Sequence, residues 1–260
     1  MITVTDIHYR IGSKILLDRI NLELAAGELL AIIGPNGAGK SSLLKTLSGE
    51  VTPDSGDVLL NGHNLHGIEL DKLALQRAVV KQSNHVMFPF TVYDIVCFGR
   101  FPVNKGVLNK HDRAIIDSVM SQLEISHLQD QIYSTLSGGE MQRVQLARAI
   151  VQIDNDERLD NKLLLLDEPL SNMDLKHQHH CLAILGKLSE RGCAIIIVLH
   201  DLNLATAYCS SIAMLDHGEL RYHGAAKEFN DIDIINKTYG IDMEIIQHPH
   251  SEQFFINPII

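Results

Sequence analysis

The sequence predicts an α/β chain with a parallel core sheet, a small antiparallel β subdomain and an inserted helical subdomain. Three observations carry that expectation. Short, wholly apolar runs at 29–33, 163–166 and 194–199 alternate with segments of helical character, the pattern of strands buried on both faces. The first run leads straight into Gly34-Pro35-Asn36-Gly37-Ala38-Gly39-Lys40-Ser41-Ser42, a glycine-rich turn that opens a helix over about 40–49. Residues 2–28 alternate apolar with polar instead, as strands with one wet face do.

The elements follow in order. Within 2–28, two alternating runs, one ending near 9–11 and the other at 15–24, flank Gly12-Ser13-Lys14 and read as an antiparallel pair. A third run at 57–60 follows the turn Thr52-Pro53-Asp54-Ser55-Gly56, so a small sheet is expected beside the glycine-rich loop. A short helix near 69–76 and a strand at 78–82 come next. Between 91 and 136 strand signals thin out. Here 91–98 starts one helix, and 110–123 forms another with Ile115, Ile116, Val119, Met120 and Leu123 at helical spacing. This is the inserted lobe, about 88–138. A helix over 141–151, a polar stretch at 154–162 and the strands at 163–166 and 194–199 build the core. Two further runs, 212–215 and 219–222, flank a hairpin turn at His217-Gly218. The tail holds a helix near 231–239 and two short strand-like runs.

Composition bounds the function. The 260 residues suit one large domain or two small ones, and 45% hydrophobic residues give ample core. A formal net charge of −10 argues against gripping a nucleic-acid backbone. No apolar run approaches the roughly 20 residues that cross a bilayer, and the first ten residues lack a basic-then-apolar leader pattern. The expectation is a cytosolic chain, or one held at a membrane only by a partner. Cys97, Cys181, Cys193 and Cys209 show no paired spacing and read as buried reduced thiols.

The turn at 34–42 matches G-x-x-x-x-G-K-[ST] in full. Its glycines let successive N–H groups face phosphate oxygens, the helix adds its positive end, Lys40 reaches the terminal phosphates, and the Ser41 hydroxyl suits Mg²⁺. Three more polar positions lie just past strand-like runs: Gln82, Asp167-Glu168 and His200. Ligands of open parallel sheets bind outside the carboxyl ends of the strands, so the four sites gather on one edge. Asp167 is then assigned to metal, and Glu168 to orienting or deprotonating the attacking water. Gln82 is either a ligand of metal or water, or a solvent-facing strand end. His200 either bonds the terminal phosphate or is structural. Tyr9 either stacks on an adenine ring or is an ordinary strand tyrosine. Leu136-Ser137-Gly138-Gly139-Glu140 is explained most simply as an S-x-x-E capping box whose glycines make a tight turn, yet the same geometry is a second anion site.

Together these residues resemble the ATP-binding cassette (ABC) transporter ATPases over about 2–225. The stretch 34–42 is similar to the Walker A loop, LLLLDE to the Walker B strand, 136–140 to the ABC signature, Gln82 to the Q-loop and His200 to the switch histidine. Tyr9 matches the adenine-stacking aromatic. Ser171-Asn172-Met173-Asp174 is similar to the D-loop, with SNMD in place of the usual SALD, and Glu140 stands where Gln is commonest. The resemblance implies a P-loop NTPase of ABC type: an ATPase domain over 1–228 and a short extension, 229–260, packed on it. It implies ATP and Mg²⁺ as cofactors. It also implies a head-to-tail dimer in which the signature of one copy serves the nucleotide of the other. Two membrane-spanning permease subunits would dock around 84–104, a substrate-binding protein would act indirectly, and the chain would sit at the cytoplasmic face of the membrane.

A narrower resemblance is visible. Residues 88–102, FPFTVYDIVCFGRFP, are similar to the same stretch in importers of iron chelates, haem and cobalamin. DLKHQHH, the polar stretch 154–162 and the tail 239–250 look most like haem-import ATPases, with siderophore or cobalamin importers as the alternative. A soluble, non-transport ABC ATPase is the alternative of another class. His177 and His180, three apart on one helix face, and His248 and His250 flanking Pro249 read as solvated surface rather than haem or metal ligands, while the sequence assigns no role to the cluster His177, His179 and His180 as a whole.

Overall fold

Strands with two dry faces need a cover on each side, and the chain lays the covers down as it goes. The computed structural model describes residues 1–82, 88–155, 157–248 and 254–259; Asn84, Pro249 and His250, named above, lie outside them. The chain opens with the hairpin β1 (Ile2–Ile11) and β2 (Lys14–Leu24). It then enters the core sheet with β3 (Leu29–Ile33), followed by α1 (Lys40–Leu47). Strands β4 (Ser55–Leu60) and β5 (His63–Asn64) extend the hairpin into a sheet of order β2-β1-β4-β5. β4 starts earlier than the alternation predicts because Ser55 still pairs with His8.

After the short α2 (Leu70–Ala74), β6 (Arg77–Val80) ends two residues before Gln82, not on it as expected. The helical lobe comprises α3 (Val92–Phe98), α4 (Phe101–Asn104), α5 (Lys110–Gln122) and the start of α6 (Gly138–Ile153). The core resumes with β7 (Leu163–Leu166), α7 (Leu175–Glu190), β8 (Ala194–Val198), α8 (Leu202–Tyr208), β9 (Ser211–Asp216) and β10 (Glu219–Ala225). The tail adds α9 (Ile232–Tyr239) and the pair β11 (Met243–Gln247) and β12 (Phe254–Pro258). His217 and Gly218 both have positive φ, 48° and 80°, as a two-residue hairpin turn requires.

The core sheet runs β10-β9-β3-β8-β7-β6, parallel except for the β9–β10 hairpin. Its strands split cleanly by period two. Ala31, Ile33, Leu164, Leu166, Ile195 and Ile197 face the cluster that α6 and α7 complete. Leu30, Ile32, Leu163, Leu165, Ile196 and Val198 face α1 and the antiparallel sheet. All five parallel strands therefore end at one edge, which loads that edge with whatever residues follow them.

Capping boxes start three of the four lobe helices, α3, α5 and α6: Thr91 with Asp94, Asn109 with Asp112, and Ser137 with Glu140. The lobe is pinned by a buried pair, Arg100 Nη2 donating to Asp112 Oδ1 at 2.7 Å, while Arg100 Nη1 donates to Val151 O at the far end of α6. Burial alone would push the Asp112 carboxyl up; hydrogen bonds from Asn109, Arg100 and Asn104 outweigh it and hold the group below its ordinary range. Among the described residues no helix is long and apolar enough to cross a membrane. Cys181, Cys193 and Cys209 are buried free thiols pushed up to about 12, whereas Cys97, expected buried, is only half-buried.

Candidate active site

The loop after β3 is shaped by its glycines. Gly34 has φ 140°, and a Cβ there would fall 2.1 Å from Leu215 O, so the backbone passes flush against β9. Gly39 has φ 107°, and its Cβ would meet Leu16 O of the antiparallel sheet at 2.6 Å. Gly37, at φ 82°, faces open space. Pro35 is half-buried, Asn36 exposed, Ala38 buried, and Ser42 half-buried on the first turn of α1. Lys40 is buried, and its Nζ donates to Gly34 O at 2.8 Å and Pro35 O at 3.0 Å, curling back over the loop. Burial pulls the Lys40 ammonium down, opposed by Glu168 and Asp167. An anion in the loop would restore what burial removes.

Asp167 and Glu168 follow β7. Ser41 Oγ donates to Asp167 Oδ1 at 3.2 Å across 126 residues of sequence. Burial pushes the Asp167 carboxyl up; the Ser41 hydrogen bond pulls it back and the neighbouring Glu168 charge adds to the rise. Ser41 and Asp167 thus bring a hydroxyl and a buried carboxylate oxygen together beside the loop, donor types that a divalent cation takes.

Glu168 is where the predicted positions meet. Gln82 Nε2 donates to Glu168 Oε2 at 2.8 Å, and His200 Nε2 lies 2.8 Å from Glu168 Oε1. Residues from the ends of β6, β7 and β8 therefore converge on one carboxylate. Glu168 itself has φ 49°, a left-handed backbone rarely adopted by a side chain of its size. Tyr9 is half-buried on β1, packed against the cluster that holds Ala38, which puts it on the loop's side of the molecule but leaves both sequence readings standing.

The start of α6 departs from its simplest explanation. The capping box is present: Ser137 accepts from the Glu140 N–H, and Glu140 Oε2 accepts from the Ser137 N–H at 2.8 Å. The glycines, however, make no turn. Neither has positive φ, and a Cβ on Gly139 would strike Asn172 O at 2.7 Å while one on Gly138 would sit 3.2 Å from Asn172 Cβ. They are small so that the loop at 171–174 can lie against the helix. Leu136 is buried behind the cap. The exposed side of this helix start, with Arg143, Asn172 and His177, lines a shallow concavity. Ser171 Oγ donates to Glu168 O at 3.2 Å, and Asp174 caps α7 through the His177 N–H at 2.9 Å.

The histidines prove more engaged than a solvated surface. His177 Nδ1 lies 2.8 Å from Asp174 Oδ1, His179 Nδ1 lies 2.7 Å from Tyr208 Oη, and His180 Nε2 lies 2.6 Å from Gln122 O. All three are half-buried, each with its own partner. Among the described residues no group of three or more His, Cys, Asp and Glu is arranged to hold a metal ion. Sequence reasoning missed Gln142, whose amide grips the loop at 168–172. Its partners are up to 30 residues away, and only the packing of α6 brings them together.

Comparison with known proteins agrees with this geometry. The chain is 41% identical over 249 residues to a hemin import ATP-binding protein, HmuV, of Gloeobacter violaceus, covering 96% of this chain and 90% of that protein. It is 39% identical to the protein of the same name from Pseudomonas entomophila, covering 96% of each. Its fold superposes with a TM-score of 0.76 on the dimeric structure of a bacterial ABC transporter cassette, at 25% identity, covering 88% of this chain and all of that one. An inward-facing structure of a candidate metal-chelate type ABC transporter gives 0.80 at 25% identity over 100% of this chain and 97% of that one. The ABC transporter profile matches residues 17–171, spanning the glycine-rich loop, the helical lobe, the capping-box helix and Glu168, and the chain belongs to that family.

Proposed function

We propose that this chain is the ATP-hydrolysing subunit of an importer that carries haem across the cell membrane. It works as a head-to-tail pair at the cytoplasmic face, held there by two membrane-spanning permease subunits and linked through them to a substrate-binding protein. The chemistry rests on the convergence of Gln82, Glu168 and His200 beside the Lys40 loop. The cargo rests on relatives named for hemin import, 36–41% identical over 94–99% of the chain.

Each residue then has a task. The backbone amides of 34–42 and Lys40 bind the phosphates, and Tyr9 supports the adenine. Ser41 and Asp167, with the Gln82 amide carbonyl at the edge, would hold Mg²⁺, which when bound neutralises phosphate charge and orients the terminal group. Glu168 Oε1 or Oε2 accepts a proton from the attacking water. His200 hydrogen-bonds the terminal phosphate as charge builds on it. Leu136 to Glu140 present the α6 start to the partner's nucleotide, and Ser171 and Asp174 shape the contact between copies. On the lobe, exposed Phe88, Phe98, Phe101 and Val107 give the permease an apolar surface to grip.

Uptake into vesicles carrying the cognate membrane subunits, with ATP inside, tests the proposal. Haem should accumulate in an ATP-dependent way, with ferric siderophore and cobalamin left outside. Accumulation of either of those instead would remove haem as the cargo, and no ATP-dependent uptake at all would remove the transport role.

A further inference from the structure

Gln142 lies five positions beyond Ser137 on α6, and its single amide spans the whole loop that follows β7. Its Nε2 donates to Ser171 Oγ at 2.8 Å and reaches Glu168 O at 3.4 Å, while its Oε1 accepts from the Asn172 N–H at 3.0 Å. Ser171 Oγ donates in turn to Glu168 O. The two glycines ahead of it close the remaining gap, because no Cβ fits between α6 and Asn172. The helix start and the 168–172 loop are therefore tied directly to one another. Glu168 is held at both ends, its carboxylate by Gln82 and His200 and its carbonyl by Gln142 and Ser171. Its left-handed backbone is the sort of conformation that persists only when surroundings over-determine it. Nothing about the core demands Gln142: α6 buries Val144, Leu146, Ala147 and Ile150, whereas Gln142 is half-buried at the surface of the loop.

We infer that Gln142 is a positioning residue that couples the two nucleotide sites of the pair. Closure of Ser137 on the partner's ATP shifts the first turns of α6, and Gln142 passes that shift to the Glu168 peptide in its own subunit's site. Each site thereby learns whether the other is filled. This rests on the head-to-tail reading above, in which the α6 start serves the partner's nucleotide.

The test reads ATP turnover against ATP concentration for the full chain in complex with its membrane subunits. Gln142→Met keeps the side-chain length and removes both hydrogen-bonding ends. The Hill coefficient should fall from about 2 toward 1, and turnover about tenfold, while ATP affinity of the lone chain stays within about twofold. Ser171→Ala, which removes the Ser171 bond to the Glu168 carbonyl together with the Gln142–Ser171 bond while leaving the Gln142 side chain in place, should lower the Hill coefficient in the same direction; it decides the matter if Gln142→Met does not fold. General loosening would reduce the active fraction and Tm but leave the Hill coefficient of the remaining enzyme where it was. An unchanged Hill coefficient in both variants, or an unmodified enzyme without cooperativity, overturns the coupling. Ser137→Arg in the same assay separates the two layers. If it leaves turnover intact, the head-to-tail reading itself falls; if it abolishes turnover while Gln142→Met leaves the Hill coefficient untouched, only the coupling falls.

Discussion

Two adjacent carboxylates end β7, and the fold treats them differently. Glu168 is fixed by Gln82, His200 and the loop carbonyl contacts, so the geometry for a water-activating base is set before any nucleotide arrives. Glu168→Gln keeps the size and removes the base. We expect turnover to drop by two to four powers of ten, roughly the worth of a positioned proton acceptor, with ATP binding retained and the pair trapped in its ATP-bound form. Single-turnover hydrolysis and light scattering with ATP check both halves, and turnover within twofold of normal would count against Glu168 as the base. Asp167 is buried and its carboxyl raised, so it costs the free chain stability when ionised. The sign follows from linkage: a carboxyl raised in the native state favours folding while protonated, below the ordinary carboxylate range, and that contribution is lost as pH rises through the native value. Asp167→Asn should therefore raise the Tm of the metal-free chain at neutral pH by a few degrees, and erase the extra Tm gain that Mg²⁺ gives over ATP alone. Thermal melts at pH 4 and pH 7.5 should show the gain only at the higher pH. Lys40 was legible in the sequence from the full G-x-x-x-x-G-K-[ST] match, and Asp167, Glu168 and His200 because they stand just past apolar runs. Gln142 was not, because its meaning lies in an amide bridging three points of a distant loop.

At the scale of elements, α6 joins the two halves of the site. Its capping box was legible as S-x-x-E, and the same logic would have read Thr91 with Asp94 and Asn109 with Asp112, where Asp replaces Glu and shortens the reach. The purpose of Gly138 and Gly139 was not legible, since a Gly-Gly pair signals a turn unless the neighbouring chain is known. Gly139→Ala separates the two meanings. In a helix Ala is better than Gly by about 1 kcal/mol, so a glycine present only by default would be improved on. Here the new methyl would meet Asn172 O at 2.7 Å, a backbone atom with nowhere soft to yield. We expect Tm to change little or fall, and turnover to drop at least tenfold, a displacement cost of about 1.4 kcal/mol at the transition state. A more stable and fully active Gly139→Ala enzyme would show that the close approach is incidental. Strand ends were misjudged by up to three residues, the largest gap at β10, which runs on to Ala225, for a simple reason. Gln82 and Ser55 carry no signal of where a partner strand stops, and pairing, not propensity, sets the boundary.

For the whole molecule the open question is whether the tail is an appendage. Two short strands and a helix were readable in it, but their docking was not, since each is amphipathic and gives no hint of which surface it covers. In the structure Phe229, Ile235, Met243, Phe254 and Ile256 are buried in the same cluster as the α6 and α7 face of the core sheet. The Asn203 side chain on α8 holds β12 like a backbone, donating to Ile256 O and accepting from the Ile256 N–H. α8 starts two residues past His200, so the tail braces the helix that directly follows that residue. Tyr239, at the end of α9, brings its hydroxyl next to the Gly34 backbone, where burial pushes the phenol up to about 12. Each large apolar side chain buried is worth about 1.5–3 kcal/mol, so the five together contribute on the order of 10 kcal/mol, an upper bound because the unfolded chain already hides part of that surface. A whole domain is stable by about 5–15 kcal/mol. Ending the chain after Glu228 should therefore leave little or no net stability, with the part of that apolar cluster which the tail helps to bury opened to water. The truncated chain should be recovered mainly as aggregate, and any soluble fraction should lack a cooperative melt and bind ATP weakly. A chain ending at Glu228 that melts cooperatively near the full-length Tm and binds ATP as tightly would mean that the tail is carried by the cassette without supporting it. The single change Asn203→Ala grades the same idea without exposing the core: it removes only the clamp on β12, and should lower Tm by a few degrees while loosening the contact between β12 and α8.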